Sequence, residues 1–197
     1  GSRYSPLNTY KLINFLKKNN ISILHCHGAK SSTIGKGVRI FSSIKVVSTI
    51  HGHKKNNSAF TNMDAVIGVN KLLSKNTPNS TYIPNWFNPS HAGERSSRSG
   101  PIIAIGRLEK VKGFDQLIKS WININECLEI IGPGPEEAAL NQIIRDLNLK
   151  DRIQIITNCD YHSIESKYKT ASGLIVSTLR EGGPRVVLEA INHEIPV

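Results

Sequence analysis

Apolar positions along the chain alternate between two rhythms, short unbroken runs and longer stretches spaced as one face of a helix. In the first half the runs are Ile21–Cys26, Ile44–Ile50, Ala65–Val69 and Thr81–Ile83, each predicted as a strand. Between them, Leu12, Ile13 and Leu16 stripe a helix over Leu7–Leu16, and the glycine-punctuated stretch 28–40 has helical potential. The second half repeats the rhythm more sharply. Runs at Ile102–Ile105, Leu128–Ile131, Ile153–Ile156 and Gly173–Val176 read as strands. Phe114, Leu117, Ile118 and Trp121 line one helix, and Leu140, Ile143, Ile144 and Leu147 another. Further helices are expected near Ser163–Thr170 and from Pro184 to about Asn192, with Val187, Leu188 and Ile191 facing inward. Each parallel crossover needs a helix to return the chain to the same sheet edge, so this order predicts parallel sheets covered on both faces. The fold class expected is α/β, with two open-sheet domains at 1–88 and 101–197. The polar stretch 89–100, rich in Gly and Ser, is the predicted linker.

Composition narrows the class without naming a chemistry. Hydrophobic residues at 39% and charged residues at 20% of 197 describe a folded globular chain rather than a disordered one. No apolar run approaches the roughly 18 residues of a membrane-spanning helix. Cys26, Cys127 and Cys159 form no CxxC pair and leave one over, which favours buried thiols in a reducing compartment. Charge divides as the domains do: residues 1–100 hold 14 Lys+Arg against Asp64 and Glu94, whereas 101–197 hold 11 against 13 acids. A basic half attracts an anionic partner such as a lipid surface or a phosphorylated glycan; a solvated face serving solubility is the alternative.

In open parallel sheets ligands bind beyond the carboxyl ends of the strands, which selects the candidates. Gly106 and Arg107 follow one strand, and Lys112 and Gly113 stand where the next helix begins, a turn able to cradle a phosphate. Gly132 and Gly134 serve either close approach of a ligand or plain turn geometry. The segment Glu181-Gly182-Gly183-Pro184 precedes a helix that carries Glu189. Two separated carboxylates can each accept the paired hydroxyls of a sugar ring, while helix-start N–H groups face a diphosphate. Two helix-end charges are the simpler alternative.

Taken together these residues resemble the retaining glycosyltransferases of family four, the group 1 enzymes of GT-B fold. The resemblance rests on Gly106-Arg107 with Lys112-Gly113, the Gly-x-Gly-Pro turn at 132–135, and the E-x7-E element from Glu181 to Glu189 within EGGPRVVLEA. In the first half, LHCHG, STIHG, DAVIGVN and YIPNWFN look like strand ends of that family's acceptor domain. The resemblance implies two Rossmann-like domains, the first on the acceptor side and the second binding a nucleotide-sugar, each incomplete at the outer end of the chain.

It also implies roles. Gly106, Arg107 and Lys112 match the donor diphosphate site, Glu189 the ribose-binding carboxylate, and Glu181, Gly182 and Gly183 the donor-sugar site. Glu181 and His51 match the positions nearest the reacting carbon. The expected reaction moves a hexosyl group from a nucleotide-diphosphate sugar to a glycan or lipid-linked acceptor with retention, in polysaccharide or lipopolysaccharide synthesis. It is expected in the cytoplasm or at the inner face of an anionic membrane, with no metal and no cofactor. Two departures stand out: His193-Glu194 replaces the small residue and Gly that commonly end the last helix, and Pro184 has no N–H to offer a sugar.

Three other readings remain at this level. His25, His27, His51 and His53, at two strand ends, have the makings of a zinc site. A nucleic-acid-binding module would use the basic half, but Gly28, Gly35 and Lys36 miss the phosphate-loop spacing and aromatics for base stacking are few. The third is a non-catalytic remnant that retains nucleotide binding.

Overall fold

A computed structural model describes residues 6–52, 56–86, 99–179 and 181–197. They form two compact units. The first holds residues within Gly1–Asn85 together with Glu181–Gly183, and the second those within Trp86–Arg180 and Pro184–Val197.

The first unit runs α1 (Pro6–Lys18), β1 (Ile23–His27), α2 (Gly28–Phe41), β2 (Lys45–Ile50), β3 (Ala65–Gly68), α3 (Lys71–Lys75) and β4 (Ser80–Tyr82). Its four strands are parallel and lie in the order β1-β2-β3-β4. Helix α2 sits close on the sheet because Gly35 has no side chain: a Cβ there would stand 2.7 Å from Cys26 Sγ and 3.0 Å from Val46 Cγ1. Ile13, Leu16, Cys26, Val38, Val46 and Phe60 belong to the core this close approach seals. Burial raises the Cys26 thiol above its ordinary pKa, which marks it as a packing group. Cys127 departs from the expectation of buried thiols and is exposed. Asp64, an acid in this basic unit, accepts from the Val46 N–H at 2.9 Å and lies 3.3 Å from both Arg39 and Lys45. These donors hold its carboxyl below the ordinary range, the backbone N–H contributing most.

The second unit runs β5 (Ile102–Ile105), α4 (Phe114–Ser120), β6 (Leu128–Ile131), α5 (Glu137–Asp146), β7 (Ile153–Ile156), α6 (Tyr161–Thr170), β8 (Gly173–Leu174) and α7 (Arg185–Asn192). Its sheet is parallel in the order β7-β6-β5-β8. One face is covered by α4 and α5 through Phe114, Ile118, Trp121, Leu140 and Ile144. Ile103, Ile131, Tyr168, Leu174 and Ala190 pack on the other. Trp121 is buried and its indole donates to the Glu126 carbonyl at 2.8 Å, so it fills the core without leaving an unpaired N–H. Asp160 caps α6 by accepting from Ser163 N at 2.8 Å. On β6, Glu129 is largely buried and paired with Lys167 of α6 at 2.7 Å.

Ile191 departs from the expected inward stripe. Helix α7 turns Val186, Val187 and Ala190 to the core and leaves Ile191 exposed. Most of the predicted linker 89–100 and the residue His53 lie outside the described residues. The last linker residue, Gly100, donates its N–H to the Thr170 carbonyl at 3.0 Å. No helix among the described residues is long and apolar enough to cross a membrane.

Candidate functional site

The second sheet changes winding direction between β5 and β8: β6 and β7 extend it to one side of β5, and β8 is added on the other. At such a switch point the loops after the two strands part, leaving room for a ligand at their carboxyl ends. Gly106, Arg107 and Lys112 follow β5, and the chain from Ser177 to Glu189 follows β8.

The turn after β5 is shaped by buried anchors. Leu108 is fully buried and its N–H donates to the Pro133 carbonyl at 3.0 Å, while the Glu136 N–H returns to the Leu108 carbonyl at 3.1 Å. A Cβ on Gly134 would collide with the Leu108 carbonyl oxygen, and one on Gly132 with that of Gly106. The glycines of the Gly-Pro-Gly turn therefore allow two backbone segments to meet, which is the turn-geometry alternative left open above. The chain then passes through a short 3-10 turn at Lys110–Lys112 and a left-handed Gly113, φ 68°, into α4.

Lys112 and Gly106 come together in this turn. A Cβ on Gly106 would stand 3.6 Å from both Cδ and Cε of Lys112, so the lysine stem lies over the glycine at van der Waals distance. Arg107 makes an ion pair with Glu109, Nε to Oε1 3.0 Å, at a side chain 70% exposed. An incoming anion competes with a solvent-screened partner there.

The segment after β8 is tied to the same turn. Ser177 Oγ donates to the Lys112 carbonyl at 2.8 Å and the Leu179 N–H to the Val111 carbonyl at 2.9 Å. Any side chain on Gly113 would meet the Ser177 carbonyl. Pro184 caps α7 with φ −69° and ψ 119°. One turn further on, Glu189 accepts from the Tyr168 hydroxyl at 2.9 Å through Oε2, and its Oε1 lies 3.8 Å from Arg185 Nη2. Tyr168 stacks on His193 with ring planes 2° apart. Burial lowers the His193 pKa, with Glu165 and Glu189 pulling the other way and Lys169 adding to the lowering.

Glu181, Gly182 and Gly183 belong to the first unit. Gly182 is buried, and a Cβ on it would collide with the His51 carbonyl, so the backbones of these two predicted site residues are in contact. Asn70 Nδ2 donates to the Gly182 carbonyl and Asn85 Nδ2 to that of Gly183, both at 2.6 Å. Neither asparagine nor Tyr168 is marked by sequence spacing, although Asn70 closes the strand-end motif DAVIGVN and Asn85 lies within YIPNWFN. Asn70 is doubly used, since its Oδ1 also caps α3 by accepting from Leu73 N at 2.8 Å.

The histidines gather at the ends of β1 and β2. Register sets His27 opposite Thr49, so His51 follows two residues on, toward the same face. His27 Nδ1 and His51 Nε2 share a hydrogen bond at 2.9 Å, and His25 Nε2 meets Thr49 Oγ1 at 2.7 Å. Desolvation, followed by mutual repulsion, lowers the pKa of His51 and of His25. Among the described residues no group of three or more His, Cys, Asp or Glu is arranged to hold a metal ion. A separate groove of about 430 Å³, lined by Glu109, Phe114, Leu140 and Leu179 among others, includes none of the predicted site residues.

Comparison with known proteins bears on the fold and the family. The chain is 30% identical over 139 residues to the amylovoran biosynthesis glycosyltransferase AmsD of Erwinia amylovora, an alignment covering 64% of this chain and 39% of AmsD. The chain thus spans about two-fifths of that relative's length. Its fold matches sucrose-phosphate synthase from Thermosynechococcus elongatus with a TM-score of 0.82 at 18% identity, covering 98% of this chain and 59% of that one. It also matches a variant of S. aureus TarM, in complex with Fondaparinux, alpha-GlcNAc-glycerol and UDP, with a TM-score of 0.81 at 16% identity, covering 96% and 44%. Residues 92–197, more than half the chain, match the family described as glycosyl transferases group 1, and the chain belongs to that family.

Proposed function

We propose that the chain is part of a retaining enzyme that transfers a hexosyl group from a nucleotide-diphosphate sugar to a glycan or lipid-linked acceptor in cell-surface polysaccharide synthesis. The observation that carries this reading is the bonding of the segment after β8 to the turn after β5. Ser177 and Leu179 join Val111 and Lys112, so the strand end leading to Glu181 and Glu189 starts beside the turn that bears Gly106, Arg107 and Lys112.

In this reading Arg107 and Lys112 bind the donor diphosphate at Gly106, and Glu189 accepts the ribose hydroxyls. Glu181, with Gly182 and Gly183, holds the donor sugar, and His51 stands near the reacting carbon. Transfer builds positive charge on the sugar and negative charge on the departing diphosphate. Fixed cations and the N–H groups opening α7 therefore stabilise the transition state more than the ground state, without a divalent metal. The UDP present with TarM and the biosynthetic role in the name AmsD support the donor and pathway class. The basic first half suits an anionic acceptor or membrane surface on the cytoplasmic side.

Calorimetric titration of UDP and GDP, and of their nucleosides, against Arg107→Ala and Lys112→Ala tests the diphosphate assignment. Each variant is expected to weaken the preferred diphosphate about tenfold and leave the nucleoside unchanged. Unchanged diphosphate affinity in both variants overturns the assignment. Proton NMR of the glycoside product tests retention, which an inverted anomeric centre would exclude.

A further inference from the structure

We propose that Tyr168 is a positioning residue for Glu189, its buried phenol orienting the carboxylate that receives the ribose hydroxyls; the proposal rests on the assignment of Glu189 above. Tyr168 is 3% exposed, packed in the core that holds Ile131, Leu174 and Ala190. One ring face is covered by His193 at the end of α7, with centroids 5.4 Å apart and planes 2° from parallel. The hydroxyl of so confined a ring has little freedom. It lies 2.9 Å from Glu189 Oε2 and 3.5 Å from the Val186 carbonyl, and donates to the nearer and more basic carboxylate.

The two carboxylate oxygens are held unequally. Oε2 meets this buried neutral donor, whereas Oε1 faces Arg185 Nη2 at 3.8 Å on a side chain 69% exposed, a loose and screened pair. A neutral donor fixes orientation without cancelling charge, so the remaining lone pairs stay available to a diol. A glutamate not held in this way would lose side-chain rotamer freedom on binding, which weakens affinity. Tyr168 lies on α6 and Glu189 on α7, so the contact ties the candidate ribose group to the rigid layer behind it. His193 covers the ring that supplies the hydroxyl.

The test is the ratio of affinities for a ribonucleotide and its 2′-deoxy counterpart, UDP against 2′-deoxy-UDP and GDP against 2′-deoxy-GDP, measured by calorimetry. Wild type is expected to prefer the ribonucleotide about tenfold, and Glu189→Ala to bind the two alike. Tyr168→Phe, which keeps the ring and its stacking, is expected to lower the preference to about threefold while leaving deoxynucleotide affinity within twofold. A purely structural role would weaken both ligands together. His193→Ala, at a half-buried helix end, loosens the ring from its other face and is expected to lower the ratio in the same direction; it stands in should Tyr168→Phe not fold. A wild-type ratio in Tyr168→Phe, or in His193→Ala if that variant stands in, overturns the proposal, and if Glu189→Ala has lost the preference the ribose assignment survives. A wild-type ratio in Glu189→Ala removes the ribose assignment and this proposal with it.

Discussion

The carbonyl oxygen of Gly106 occupies the space a side chain on Gly132 would need, so the turns after β5 and β6 touch backbone to backbone. Gly132 also has φ 138°, a conformation L-residues rarely adopt. Gly132→Ala is therefore expected to cost about 2–4 kcal/mol of stability, read from urea unfolding. Gly106→Ala is the contrast. Its Cβ would meet Lys112 and Phe114 at 3.5–3.6 Å, ordinary contact, and the expected change is within about 0.5 kcal/mol.

The end of α7 offers a stabilising substitution. Glu194 takes φ 51°, the left-handed conformation that glycine adopts freely, while the Ile195 N–H reaches back to the Ala190 carbonyl at 2.9 Å. Glu194→Gly is expected to raise stability by about 1 kcal/mol, seen as a higher urea midpoint. A lower midpoint would mean that contacts of the Glu194 side chain outweigh the backbone strain.

Asp64 joins β2, β3 and α2 through Val46, Lys45 and Arg39. Asp64→Asn keeps the shape and one acceptor but removes the charge, and is expected to cost about 1 kcal/mol, less in high salt.

Acid should loosen the fold in two stages. His25, His51 and His193 have pKa values lowered from 6.5, so between their folded values and 6.5 the unfolded chain binds more protons than the folded one. Their contribution is complete above pH 6.5 and is lost as pH falls through the folded values. Asp64, lowered from 3.8, contributes above that value and fails as pH drops toward its folded pKa. Unfolding measured across pH 3–7 should show stability rising with pH in both windows. His25→Asn and His51→Asn should flatten the upper window, and a slope there unaltered by both would contradict the histidine assignment.

Sequence patterning located the elements well where local signals were strong. The strands β5, β6 and β7 coincide with their apolar runs, which Gly106, Gly132 and Thr157 close at the carboxyl ends. β8 ends at Leu174 rather than Val176, since after the Ile175 N–H pairs with Ile103 the chain peels away to bond Val111 and Lys112. Helix α3 escaped notice because its five residues carry no periodicity, and the Asn70 cap helps set it. The site divided in the same way. The approach of Lys112 to Gly106, six residues apart, follows from the local turn, whereas Tyr168 and Glu189, 21 residues apart on two helices, meet only through packing. Likewise, nothing in the order of residues pairs Asn70 with Gly182 across 112 positions.

The central claim is that this chain holds a nucleotide diphosphate with Glu189 at the ribose. Calorimetric titration of UDP and GDP into wild type and Glu189→Ala tests it most directly. The account predicts saturable binding of at least one of the two by wild type, weakened about tenfold or more in the variant. Equal affinities in the two proteins, or no binding by wild type, would contradict it.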